Sequence, residues 1–327
     1  MMKQSVIAIA IICVIILSSL LAVPLMLRAG QSSTDKLSST PSPTPLSSTV
    51  PTQGNPTITP TPKPSSTTTQ SILHNFTPKP PVPKPTPLLH APDRTMEEEI
   101  GNATQYLAQS TVPFAVITSN VLDRQFGISQ FSNSLQKYDQ LIAGNPDPTM
   151  MLFRRIACYN NSVDSCDYNS LQYDVDRLTV PALYSDRWTL PDNYSIMLQA
   201  GLEGGGYLTT HTLLATFWLK ENNCTVALPA NFTNQLYLAT AAIINDDSEV
   251  TDVEIEAAAF LYEAGQGKLV SSSFIHLVMI NQNVDGGWAP ASTIQPNMSD
   301  WHPTFLALML LLNVDQSSNT YRPWLAT

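Results

Sequence analysis

The hydrophobic pattern of residues 93–327 has the period of amphipathic helices, with apolar residues at i, i+3 and i+4 in most segments. Capping-box patterns, Thr95 with Glu98 and Thr251 with Glu254, mark two of the helix starts. The other helical segments read ISQFSNSLQKYDQLIAG, THTLLATFWLKENN, TNQLYLATAAIIN, SSFIHLVMINQN and PTFLALMLLLN. This pattern predicts an all-α domain of helical hairpins packed in series.

Local signals mark helix ends and one loop. Gly265 stands where a left-handed helix C-cap belongs, and Pro303 stands where a first-turn proline belongs. Few stretches alternate with the period of a β-strand. The stretch that begins at Leu178, LTVPALYSDRWTLPDNYS, is typical of a loop.

An apolar, uncharged run of 22 residues, 6–27, lies between Lys3 and Arg28. As a helix it spans about 33 Å, enough for the hydrocarbon core of a bilayer. It is longer than the roughly 7–15-residue core of a signal peptide. We therefore predict an uncleaved signal anchor in 1–30 that crosses the cell membrane once. Cleavage near Ala22, with secretion of the remainder, stays open, and both alternatives place the remainder outside the cytoplasm.

Residues 31–92 are rich in Pro, Ser and Thr and contain no segment that can bury a core. Proline fixes φ and removes amide donors, so such a segment is extended and polyproline-II-like. Dense Ser and Thr beside Pro is typical of O-glycosylated stalks, and a plain disordered linker is the alternative. We predict a disordered stalk between the membrane segment and the helical domain at 93–327.

The helical domain is acidic, since 25 Asp and Glu residues against 10 Lys and Arg residues follow position 92. Such a charge repels phosphate backbones, so we expect no nucleic-acid partner. A cationic partner or a bound divalent metal ion is compatible with it. The sequence contains no signature for nucleotides, flavins or iron–sulfur clusters.

Cysteines and Asn-x-Ser/Thr sequons fit an exported domain. Cys158 and Cys166 flank the polar stretch CYNNSVDSC and predict a small-loop disulfide, with free thiols as the alternative. Cys224 is then left over. The predicted N-glycosylation acceptors of the domain are Asn102, Asn160, Asn193, Asn223, Asn231 and Asn297, and Asn75 adds one in the stalk.

Two stretches of the domain resemble each other. The first has Glu203, a glycine run, an aromatic residue and His211 before the apolar LLATFWL. The second has Asp285, a glycine pair, an aromatic residue and His302 before FLALMLLL. The shared order predicts an internal repeat of helical hairpins. In such a repeat, side chains at equivalent positions point towards the same opening, or mouth, of the helical ring.

The segment 282–288, QNVDGGW, resembles the Q-x-x-D-G-G-W form of the QW repeat of squalene and oxidosqualene cyclases. It is also similar to segments of protein prenyltransferase β subunits. The match covers 272–313, and a weaker version covers 199–219. The resemblance implies an α/α toroid, in which an inner and an outer ring of helices enclose a cavity. Because 93–327 is short for such a ring, the resemblance implies an incomplete or tightly looped one.

The residues of this motif have structural roles available to them. Gly286 and Gly287 allow a tight turn with positive φ, and Asp285 can cap the amides of that turn. We expect Trp288 to pack over the end of the hairpin. We expect Gln282 to hydrogen-bond the free amides of the next helix.

The catalytic signatures of the resembled families are missing. The sequence contains no D-x-D-D motif, by which squalene-hopene cyclases protonate their substrate, and Cys224 with His302 does not match the prenyltransferase zinc ligands in spacing. The repeat offers a different candidate set, which is Glu203, His211, Asp285, Asp300 and His302. Imidazoles beside carboxylates can act as a general acid/base pair, and His211 with His302 can bind a divalent metal. The alternative is that both histidines are helix-terminus residues satisfied by the backbone.

Three functions remain open from the sequence. The first is a surface binding module for a glycan or a cell-surface protein, tethered to the membrane through residues 6–27. The second is a hydrolase or lyase that acts on an extracellular or cell-surface polysaccharide through the His and carboxylate set. The third, a terpene-cyclase-like or prenyltransferase-like lipid enzyme, is disfavoured by the missing D-x-D-D motif.

Overall fold

Eleven α-helices and four short 3-10 turns account for the regular structure of the described residues, and no strand occurs among them. The computed structural model describes residues 94–161, 163–245, 250–290, 298–317 and 320–326. In chain order the helices, α1 to α11, are Met96–Gln109, Pro113–Phe126, Ser134–Gly144, Pro148–Phe153, Asp174–Leu183, Tyr194–Gly204, Gly206–Glu221, Phe232–Ala241, Asp252–Glu263, Ser272–Ile280 and Trp301–Asp315. The predicted all-α class is therefore confirmed.

The predicted membrane segment at 6–27 and the stalk at 31–92 lie outside the described residues. Within the described part of the chain, no helix combines the length and the apolar character needed to span a bilayer.

Both predicted capping boxes are present. At the start of α1, the hydroxyl of Thr95 accepts from Glu98 N at 3.2 Å, and the carboxylate of Glu98 accepts from Thr95 N at 2.8 Å. Thr251 and Glu254 repeat this exchange at the start of α9. Gly265 follows α9 with a φ of 71°, the left-handed conformation that its position predicted.

The helices divide into inner and outer members by how much of their surface is buried. Helix α11 is enclosed, because every residue from Pro303 to Asn313 is buried, and it packs against α1, α2 and α9. Helix α7 packs between α5 and α9 in the same way. Helix α10 lies outside them and buries only Phe274 and Val278. The inner helices α2, α5, α7, α9 and α11 supply most walls of one cavity.

The loop predicted from Leu178 is wrong in its first third, which belongs to α5, and in its last two residues, which begin α6. Helix α5 continues to Leu183 and contains Pro181. A proline inside a helix costs about 3 kcal/mol. Here Leu178, Val180 and Leu183 are all buried where α5 packs on α7, and their burial offsets that cost.

The QNVDGGW segment forms the tight turn that its glycines predicted. Gly286 has a φ of 90°, and Asp285 Oδ1 accepts from Gly287 N at 3.2 Å. The indole of Trp288 is 1% exposed and donates from Nε1 to Val278 O at 2.7 Å, which fixes it against α10.

The predicted partner of Gln282 is wrong. Its side chain bonds the first helix and not the next one, since Gln282 Nε2 donates to Glu99 O at 2.8 Å. Its Oε1 accepts from Arg94 Nη1 at 2.7 Å and from Asn102 Nδ2 at 3.4 Å. The reason is that α1 packs against α11, which brings the start of the domain beside this turn.

The predicted disulfide is not formed in the structure, where Cys158, Cys166 and Cys224 are free thiols. Cys166 packs against the hydrophobic core, and burial raises the pKa of its thiol. Cys158 instead lies beside Arg154. The two sulfurs therefore have different surroundings.

Four of the predicted glycosylation acceptors, Asn160, Asn193, Asn223 and Asn231, are exposed. Asn102 differs, because it is half-buried and its amide donates to Gln282 Oε1. Asn75 and Asn297 lie outside the described residues.

A Gly286→Ala substitution should destabilise the domain by about 1–3 kcal/mol. A Cβ there would approach Asn102 O to 2.6 Å in a conformation that L-residues rarely adopt. Urea unfolding measures the change. Gly101→Ala is the matched control, because it is an exposed site inside α1 with nothing within 4 Å of the new Cβ. The free energy of unfolding of this control should rise by up to about 1 kcal/mol. Equal unfolding midpoints for the two variants would contradict the structural role of this turn.

Candidate functional site

A cavity of about 230 Å³ lies among the inner helices, and we call it the aromatic cavity. Its aromatic residues are Phe114, Phe153, Trp218, Phe260, Trp301, Phe305 and Trp324. Its ionisable residues are Asp176, His211, Glu256 and His302. The histidine side chains are 19% and 27% exposed, whereas Trp218 and Trp324 are almost fully buried. The histidines therefore lie at the outer end of the cavity, and Trp218 and Trp324 lie in its interior.

A larger groove, of about 710 Å³, lies beside α5 and α6. It contains no histidine, and its charged residues are Asp174, Arg177 and Asp192. Asp174 and Arg177 pair with each other at 3.0 Å on the surface. The aromatic cavity is therefore the better candidate for a functional site.

Glu256 is the centre of the polar end of the cavity. Its side chain is fully buried in α9, yet it lies within ion-pair distance of both histidines. His211 Nδ1 is 3.1 Å from Oε1, and His302 Nε2 is 3.3 Å from Oε2. Thr210 also donates its hydroxyl to Oε1. We call Tyr207, His211, Asp252, Glu256 and His302 the His–Glu cluster.

The surroundings of His302 make it a cation. Nδ1 lies 2.9 Å and 3.0 Å from the two oxygens of Asp252, and Nε2 faces Glu256. Carboxylates on both sides require that both ring nitrogens carry protons. Asp252 also accepts from the hydroxyl of Tyr207 at 2.8 Å. Nδ1 of His302 and this phenol therefore both donate to the carboxylate of Asp252.

His211 is held differently. Its Nδ1 lies 3.0 Å from the carbonyl oxygen of Tyr207 and 3.1 Å from Glu256 Oε1. Because both neighbours are acceptors, the proton of a neutral imidazole belongs on Nδ1. Nε2 has no hydrogen-bond partner among the described residues. His211 therefore offers an unpaired ring nitrogen at the outer end of the cavity.

The charges of the cluster shift the pKa values of its members. Burial alone would lower the pKa of His302, but the hydrogen bonds and charges of Asp252 and Glu256 raise it to about 10. Burial alone would raise the pKa of Glu256, but His211 and His302 hold it well below its usual value. Burial raises the pKa of Tyr207, and Asp252 adds to this effect. At neutral pH the centre of the cluster is thus a carboxylate beside an imidazolium.

All members of the His–Glu cluster come from the first two turns of α7, α9 and α11. The N-terminal ends of these helices therefore meet at the same side of the cavity. Helix N-termini carry a partial positive charge and unpaired amides, which stabilises the carboxylates of Asp252 and Glu256 there.

The structure brings together only two of the five catalytic candidates. His211 and His302 both reach Glu256, in agreement with the prediction that equivalent positions point towards one mouth. Glu203 is exposed, and it does not line the aromatic cavity. Asp285 accepts from Gly287 N and Ser299 Oγ, and Asp300 caps α11 by accepting from His302 N at 2.9 Å. These two carboxylates therefore stabilise the turn at Gly287 and the start of α11.

Three acidic residues of the site were missed by reasoning from the sequence, namely Asp252, Glu256 and Asp176. One signal was available for the first two. With Glu254 assigned to the capping box, Asp252 and Glu256 remain at i and i+4, and this spacing places them on the same face of α9. Asp176, in the first turn of α5, carried no distinguishing signal.

The described residues contain no group of three or more His, Cys, Asp or Glu side chains that could hold a metal ion. The electrostatics of the cluster agree with this observation. A metal ligand must be a neutral imidazole with a lone pair, whereas both nitrogens of His302 face carboxylates. The predicted metal site at His211 and His302 therefore has no support in this geometry.

Comparisons of the chain with protein-family models, with curated proteins and with solved structures found no match. The class that the described residues define is an all-helical domain with an aromatic cavity and a buried His–Glu cluster. The resemblance to cyclase repeats therefore rests on the sequence of 272–313 and, more weakly, of 199–219.

The free energy of unfolding should fall as pH rises from 6.5 towards 10, by up to about 5 kcal/mol. In the folded chain His302 keeps its proton up to a pKa of about 10, whereas the unfolded chain loses it near 6.5. The unfolded state thus binds fewer protons in this window, and the free energy of unfolding decreases with pH. Urea unfolding at several pH values measures this slope.

His302→Gln should flatten the slope, and His276→Gln, at an exposed site on α10, should leave it unchanged. An equal slope in the wild type and in His302→Gln would show that the cluster does not hold this proton.

Proposed function

We propose that residues 93–327 form an extracytoplasmic binding module that takes a compact ligand in the aromatic cavity. One observation carries the proposal, namely a cavity with seven aromatic residues that ends on the buried His–Glu cluster. Ligand sites in proteins are mostly apolar, with a few convergent polar groups, and this cavity has that composition. The membrane tether at 6–27 and the stalk at 31–92 belong to the same proposal and rest on the sequence.

The size of the cavity supports a compact ligand. Sites for drug-sized molecules occupy about 300–1,000 Å³, and this cavity has about 230 Å³. A single sugar ring or a similarly small molecule is compatible with this volume. A long isoprenoid chain is not, so we do not propose a cyclase-like or prenyltransferase-like activity.

Unpaired polar atoms around the cavity support the presence of a ligand or bound water. The indole Nε1 atoms of Trp218 and Trp324 are buried and have no acceptor among the described residues. Glu256 Oε2 is also buried, and the donor that faces it is His302 Nε2 at 3.3 Å. Buried donors and acceptors are usually paired, so atoms from outside the chain are expected to complete them.

The free-energy cost of burying the charged groups of the His–Glu cluster also supports a function. Burying charged groups costs several kcal/mol per ion, and well-packed apolar residues of the same volume are often as stable. A fully buried carboxylate in an apolar cavity is therefore a weak source of stability. Its position at the end of the cavity supports a role in ligand recognition.

The architecture that we propose for the domain is toroid-like. Consecutive inner helices α5, α7, α9 and α11 pack in series, and with α2 they surround the cavity, while α6, α8 and α10 bury fewer residues. The QNVDGGW turn supports the same arrangement, because it stands between an outer and an inner helix in α10 and α11.

A second candidate function is acid–base catalysis, and the geometry of His211 favours it. A carboxylate and a carbonyl orient Nδ1, and Nε2 is unpaired at the outer end of the cavity. This is the arrangement of a general base held by an acidic partner. The substrate would be an extracellular polysaccharide. In a hydrolase, His211 would take a proton from the water that attacks the anomeric carbon of the terminal ring, while the glycosidic C–O bond breaks and the departing oxygen gains a proton from solvent. In a lyase, His211 would take a proton from a ring carbon while the neighbouring C–O bond breaks and the departing oxygen is protonated.

Compact ligands should bind inside the cavity and lose binding when it is filled. The full-length protein, labelled with 5-fluorotryptophan, should show ¹⁹F shifts at Trp218, Trp301 or Trp324 with members of a library of one-ring and two-ring compounds. Leu214→Trp fills the cavity and should abolish these shifts. Leu238→Trp, at a site 53% exposed on α8, should preserve them. Shifts that survive in Leu214→Trp would contradict the proposal.

For the second candidate function, His211→Gln should reduce turnover by about 10²–10⁴-fold while His276→Gln retains it. Release of sugars from cell-surface polysaccharides is the assay. Turnover that is equal in His211→Gln and the wild type would exclude His211 as the base.

A further inference from the structure

Asp176 is the one ionisable residue of the aromatic cavity that stands outside the His–Glu cluster. Within the described part of the chain, its carboxylate accepts no hydrogen bond and has no cationic nitrogen within 4.0 Å. Burial raises its pKa, and the more distant charge of His211 partly opposes this. An acid in this position has no counter-ion supplied by the chain.

The charges around the cavity leave an excess of negative charge. Asp176, Asp252 and Glu256 are acidic, and His302 is the only fixed cation among the cavity and cluster residues. The group has a net charge of −2 when His211 is neutral and −1 when it is protonated. An anionic ligand would add to this excess, whereas a cationic ligand would compensate it.

The aromatic residues supply the other half of a cation site. Trp301 is half-buried near the outer end, stacked on Phe114 with ring centroids 5.7 Å apart. Its indole also meets the ring of His302 edge-on at 5.2 Å. Aromatic faces attract ammonium groups through the ring quadrupole, most strongly for tryptophan and where water is excluded. Aromatic rings are the usual lining of sites for alkylated ammonium ions, and the aromatic cavity also contains the unpaired carboxylate of Asp176.

We propose that the aromatic cavity binds a compact organic cation, with a primary to quaternary ammonium group, and that Asp176 is its counter-ion. This inference rests on the proposed function, since it requires that the cavity takes a compact ligand. It specifies the chemical class, and it excludes small acids and phosphorylated molecules. The unpaired Nε2 of His211 is an acceptor for a hydroxyl group on such a ligand.

The test compares choline with 3,3-dimethylbutan-1-ol, which has the same shape and no charge. Isothermal titration calorimetry uses the full-length protein in dodecyl maltoside, a detergent without a choline headgroup. Choline should bind at least about tenfold more tightly than the alcohol. Asp176→Asn should lower the affinity for choline by about tenfold or more and leave the affinity for the alcohol unchanged.

Asp174→Asn is the matched control. It makes the same change on the same helix, at a side chain that is 77% exposed and outside the cavity. It should change neither affinity. Trp301→Leu is the second variant, because it keeps Asp176 and removes one aromatic face. This variant should lower the affinity for choline more than the affinity for the alcohol.

The outcomes separate the two proposals. If the alcohol binds as tightly as choline, or if Asp176→Asn has no effect on choline, the cation inference is wrong and a compact-ligand site remains. If neither probe binds and no compound of the one-ring and two-ring library shifts the tryptophan signals, the proposed function fails together with it.

Discussion

The ion pairs of Glu256 are the interaction on which the rest of the site depends. A carboxylate with no exposure to solvent requires compensation nearby, and two other helices provide it. His302 supplies a positive charge, and His211 supplies a hydrogen-bond donor. Because α7, α9 and α11 each contribute from their first two turns, this one residue fixes how their N-terminal ends meet. Removing one partner of such a buried pair typically costs about 3–5 kcal/mol, since the other charge is left uncompensated.

The cluster also divides the cavity into two chemical regions. At its outer end, the imidazoles of His211 and His302 and the carboxylate of Asp252 are partly exposed and can exchange protons with solvent. Beyond them, aromatic rings exclude water, and charge interactions there are stronger than at the surface. A ligand in this position meets apolar surface over most of its area and polar groups at one end. That combination would give both affinity and orientation, and for this reason we propose a binding role for the cavity.

Much of the fold could be predicted from the sequence, because its signals are local. The capping boxes at Thr95 and Thr251 and the repeated order of acid, glycines, aromatic residue and histidine all lie within short segments. The repeat also predicted that His211 and His302 point to one mouth. Glu256 could not be predicted, because an acid near a helix start is usually solvated or caps the helix, and its partners lie 45 and 46 positions away. Helix α5 was misjudged at Pro181, where packing against α7 outweighs the local preference.

The protonation state of His302 shows whether the buried carboxylate of Glu256 organises this site. In the full-length protein with ¹⁵N-labelled histidine, the account predicts that His302 stays doubly protonated through neutral pH and titrates near pH 10. Glu256→Gln should bring this titration towards the ordinary histidine value of about 6.5. If His302 of the wild type titrates near 6.5, or if Glu256→Gln leaves its titration unchanged, the buried carboxylate does not organise this site and the account is wrong.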